Sequence, residues 1–163
     1  MEDGHTHPEV QRAVCKAASV LEELGARVEE CSIPLVADAT VVAVVIADTD
    51  EAFVHRERLR TIPAGYEQAI RRRLLAASLV PIEVYREATR VRALLRAQME
   101  EVFRRLDVLI SPTHLSPAPK LEPVRSIESK EDAFKFFMLR RGGGAPAALT
   151  GGPAAVVVLT EVP

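Results

Sequence analysis

The stretch PIEVYREATRVRALLRAQMEEVFRRLDVLISPT, residues 81–113, decides the fold. Pro81 suits a helix start, because its φ is already helical and its missing N–H has no intrahelical partner to lose. Apolar residues then recur at Val84, Ala88, Val91, Leu95, Met99, Val102 and Leu106, with gaps of 4, 3, 4, 4, 3 and 4. That period is one buried stripe on an α-helix. On the outer face Arg96, Glu100 and Arg104, and likewise Glu101 and Arg105, stand four apart and predict ion pairs along the helix. Asp107 to Ser111 then form a continuous apolar run that stops at Pro112. The run predicts a buried, parallel strand. A strong helix feeding a buried strand is an α/β signature.

Upstream, Pro8 to Leu24 predicts a helix capped by Thr6 or His7, with Glu9 at the positive end of its dipole. Its stripe is Val10, Val14, Ala17, Leu21 and Leu24, and Gly25 takes the left-handed position that ends it. Arg27 to Ile33, between a Gly stop and a Pro stop, predicts a short strand. Val36 to Leu59 reads as a long helix, apolar nearly all round in its first half and charged in its second (Glu51, His55, Arg56, Glu57, Arg58). Pro63 and Gly65 break it, and a shorter helix follows from Tyr66 to Leu75.

Downstream, residues 114–129 form a Pro-rich loop, Lys130 to Leu139 predicts a short helix, and residues 140–163 make a Gly/Pro-rich tail in which Val156 to Leu159 could be a last strand. The expected class is α/β, with helices packed on a mixed, incomplete sheet. Residues 1–163 read as a single, partial domain.

Composition narrows the function classes. The chain has 163 residues, 48% of them hydrophobic, enough for one real core. Formal net charge is −2 with both signs interspersed, which gives no pull toward nucleic acid or a membrane surface. The most apolar run, Thr40 to Ala47, is far below the roughly 20 residues of a membrane span. The two cysteines, Cys15 and Cys31, are isolated, which suggests a reducing, cytoplasmic setting. No secretory leader is visible at the start.

Four constellations could carry chemistry. His5 and His7, near Asp3 and Glu9, lack the three or four convergent ligands a metal needs, so polar capping is preferred and no metal or other cofactor is expected. Ser111, His114 and Ser116 follow the expected strand, where ligands bind in open α/β sheets, but no third group or G-x-S-x-G elbow makes them a catalytic set. They read as a pocket wall or as a hydroxyl-rich loop. The Arg71, Arg72, Arg73 run is a solvated face or a holder of a substrate carboxylate or amide oxygen. Gly142 to Ala147 lacks the G-K-[ST] of a phosphate loop and reads as a flexible turn.

Several segments also resemble, in order, the part of amidase signature enzymes that follows the catalytic core. They are His7-Pro8-Glu9-Val10, Leu21 to Glu30 with Ile33-Pro34, Tyr66 with Arg72 to Leu75, Tyr85 with Arg90 and Arg92, and Phe103 with Asp107-Val108-Leu109 and Pro112-Thr113. The resemblance covers roughly residues 5 to 120 and extends to the amidase-like component of glutamyl-tRNA(Gln) amidotransferase. It implies amide hydrolysis by a Ser–Ser–Lys arrangement whose members lie upstream of the matched region, and no G-G-S-S-type run occurs here. The resemblance thus implies a C-terminal portion that supplies scaffold and pocket wall, has no catalytic residue of its own and is inactive alone. It also implies substrate contact at Arg72 or Arg73, with Thr113 on the pocket wall. In the tail only Phe136, Gly144, Pro146 and Ala147 fit the family pattern, while Phe137, Leu139 and Arg141 replace the expected Thr, Pro and Asn. A non-catalytic, degenerate binding module is the competing reading. The implied partner is a small-molecule amide, with neither nucleic acid nor membrane, and a homodimer is one open assembly.

Overall fold

The computed structural model describes residues 6–118 and 144–157. Five α-helices occur among them: α1 (Pro8–Glu23), α2 (Ala39–Thr61), α3 (Gln68–Ala77), α4 (Ile82–Phe103) and α5 (Ala145–Thr150). Short 3-10 turns at Pro34–Asp38 and Pro63–Gly65 lead into α2 and out of it, each opened by its proline.

The helix ends follow local chemistry. His7 is extended and its Nδ1 accepts from the Glu9 N–H at 3.3 Å, so the imidazole caps α1. At the other end Gly25 has φ 95°, and the Gly25 and Ala26 N–H groups donate to the Glu22 and Leu21 carbonyls, both at 2.9 Å. That is the paired hydrogen bonding of a Schellman stop. Glu67 caps α3, its carboxylate accepting from Ala69 and Ile70 at 2.8 and 3.2 Å.

Helix α2 is the hub and packs against α3, α4 and α5. The main core joins Ile33, Ala39, Val42, Ala88, Leu95, Met99, Val102, Ala145 and Leu149. Ala88, Leu95, Met99 and Val102 are the α4 stripe anticipated from the sequence, with Val91 and Leu106 partly buried beside it; Val84, at the start of the stripe, stays 46% exposed. Ala52, Leu59, Leu74 and Ala77 are buried on the facing helices α2 and α3. The α1 stripe differs. None of its residues is buried, and Leu24 is 78% exposed.

No strand, and so no part of the sheet expected from the sequence, occurs among the described residues. Residues 27–33 run between α1 and the Pro34–Asp38 turn without a ladder. Asp107 to Ser111 also lacks one, and there Leu109 packs on the core while Val108 is 71% exposed and Ile110 40%. An apolar run becomes a strand only when a neighbour takes its N–H and C=O groups. Neither segment meets one among the described residues. Val156 and Val157 are likewise irregular and exposed, whereas the helix expected over Lys130 to Leu139 and the end of the expected last strand lie outside the described residues.

Long-range hydrogen bonds hold the irregular segments, and α5, in place. The His7 N–H donates to the Leu115 carbonyl at 2.8 Å, the Leu35 N–H to Gln98 Oε1 at 3.3 Å, and Arg92 Nε to the Leu149 carbonyl at 2.7 Å. On the outer face of α4, Arg96 pairs with Glu100 as its spacing anticipates. Glu101 pairs with Arg104, which frees Arg105 to reach Glu29 at 3.1 Å in the segment after α1.

Candidate functional site

The charged half of α2 is not a plain solvated face. Asp48, Glu51 and His55 stand at spacings of three and four, so they share one side of the helix. The segment from Tyr66 through α3 lies against that side. Arg73 Nη1 meets Asp48 Oδ1 at 2.5 Å and Arg73 Nη2 meets Glu51 Oε2 at 2.6 Å. The Arg73 and Asp48 side chains are 21% and 14% exposed. Partial burial pulls the Arg73 pKa down, but the charges and hydrogen bonds of Asp48 and Glu51 outweigh it and hold the guanidinium above its ordinary value.

One turn further along, the Tyr66 hydroxyl lies 3.0 Å from His55 Nδ1, the two rings meeting edge-on with centroids 5.7 Å apart. The Arg58 guanidinium sits 5.8 Å from the Tyr66 ring centre. On the α4 side, the Tyr85 hydroxyl donates to Asp50 Oδ1 at 2.9 Å, and this bond to a carboxylate raises the Tyr85 pKa. Several residues that carry the family resemblance therefore tie helices together: Arg73 and Tyr66 to α2, Tyr85 to α2, and Arg92 to α5.

A cleft of about 360 Å³ opens beside the Arg73 pair, lined by Val44, Val45, Asp48, Thr49, Arg73, Ala76, Ala77 and Val80. Its walls are mainly aliphatic. The Thr49 hydroxyl oxygen there is buried without a hydrogen-bond partner among the described residues.

The three residues singled out from the sequence are dispersed. Arg73 lines the cleft, Arg72 is exposed on α3, and Thr113 is exposed after α4; the cleft lining includes neither Arg72 nor Thr113. Ser111 and His114 are exposed and Ser116 is half-buried. The sequence reading missed Asp48, Glu51 and His55. Their signal was the common helical face, hidden because charges at such spacing ordinarily face water. His5 lies outside the described residues, and no group of three or more His, Cys, Asp or Glu side chains able to hold a metal ion occurs within them. No described helix is long and apolar enough to cross a membrane.

The family model for amidases matches residues 1–162. The chain belongs to the amidase family. It is 36% identical over 113 residues to an amidase of Pseudomonas putida, an alignment covering 69% of this chain and 24% of that protein. It is 31% identical over 170 residues to a glutamyl-tRNA(Gln) amidotransferase component of Clostridium kluyveri, covering 89% of this chain and 33% of that one. A crystal structure of an amidase superposes with a TM-score of 0.71 at 26% identity, over 95% of this chain and 36% of that chain. This amidase-family chain thus spans about a quarter to a third of the length of the relatives it matches.

Proposed function

We propose that this chain is the C-terminal portion of an amidase-type hydrolase acting on linear amide carbon–nitrogen bonds, in which it provides scaffold and one wall of the substrate pocket. The observation that carries this reading is the superposition of nearly the whole chain on about a third of an amidase. The Ser–Ser–Lys chemistry of the reaction belongs, in this reading, to the part of the family fold that the match leaves uncovered. Arg72 and Thr113 are exposed and open to a ligand, and Arg73 is held by two carboxylates as a rigid part of the same helix. The ligand is a small amide, and the two free thiols, Cys15 and Cys31, fit a reducing, cytoplasmic setting.

Ammonia release from a panel of small aliphatic and aromatic amides tests the proposal. The isolated chain is expected to stay at the uncatalysed background. Hydrolysis is expected once the remaining part of an amidase fold is supplied, with Arg72→Ala raising KM. Turnover by the isolated chain at an ordinary enzyme rate, about 1–1000 per second, would overturn the assignment of the chemistry elsewhere.

A further inference from the structure

We draw no further inference here: the strongest candidate, the aliphatic cleft of about 360 Å³ between α2 and α3 beside Arg73, belongs to the candidate site already described, and nothing in the structure shows what covers its Val44, Val45 and Val80 walls.

Discussion

Arg73 Nη1 lies 2.5 Å from Asp48 Oδ1, and the pair fastens α3 to α2 at the edge of the cleft. Glu51 completes the clamp from the next turn of α2. Two short contacts from one planar guanidinium fix both its position and its orientation. An arginine in such a clamp makes its first contribution to the fold, whatever ligand the pocket takes.

Removing one partner is therefore expected to cost more than an exposed ion pair would. Asp48→Asn should destabilise the chain by about 1–3 kcal/mol, because a half-buried guanidinium loses its better-buried counter-charge. A denaturant-unfolding double-mutant cycle with Arg73→Met checks it. A coupling energy indistinguishable from zero would show that the pair holds nothing.

Leu74 and Leu95 are each 1% exposed, one on α3 and one in the main core. Leu95→Ala and Leu74→Ala are each expected to lose about 2–5 kcal/mol of unfolding free energy, from lost transfer energy plus the cavity left behind. Leu79→Ala, at a side chain 81% exposed, should change stability little in the isolated chain. The same denaturant midpoints read all three.

The Glu67 carboxylate is held below its ordinary value of 4.5, first by the Ala69 N–H and then by the Ile70 N–H. A depressed folded-state value makes the charged form the stabilising one. Its contribution is complete above the unfolded value and lost as pH falls through the folded one. The α3 cap should therefore loosen on acidification below about the ordinary carboxylate range, seen as faster amide exchange at Ala69 and Ile70. Glu67→Gln should remove that pH dependence; its persistence would assign the effect to another group.

The Tyr85 phenol is held above its ordinary value of 10.0, chiefly by its hydrogen bond to Asp50. Here the protonated form is the stabilising one, so the contribution is complete below the unfolded value and lost as pH rises through the folded one. The chain has two tyrosines, so a Tyr66→Phe background isolates the Tyr85 phenolate by ultraviolet titration. Ionisation is expected above the free-tyrosine midpoint, and Asp50→Asn should return it toward that midpoint.

Much of the helical skeleton was legible before any fold was known. The 4, 3, 4, 4, 3, 4 spacing from Val84 to Leu106 located α4 and its buried face, and Pro8 with Gly25 bracketed α1, because stripes and caps depend on residues a few positions apart. The strands at 27–33 and 107–111 were expected from apolar runs and stop signals alone. A ladder depends on a second segment, and the described residues hold none for either run. The candidate site was less legible than the helices. Arg72, Arg73 and Thr113 were named from the sequence, but the three polar residues of α2 that meet this segment, Asp48, Glu51 and His55, were not, because they lie 11 to 25 positions from the groups they meet.

The sequence by itself determined helices α1 to α4, the ends of α1, the α4 core stripe and the ordered segments shared with amidases, whereas α5 falls where the sequence reads as a turn. These rest on local propensity and periodicity, which are complete within a turn or two of chain. Only the tertiary structure decided that Arg73 answers to Asp48 and Glu51, that Arg105 crosses to Glu29 instead of pairing along its own helix, and that Val41, in the apolar first half of α2, is half exposed while Val42 is buried. A charged group pairs with whatever opposite charge folding brings within about 4 Å. That neighbour is set by how the helices pack, and no local pattern encodes it.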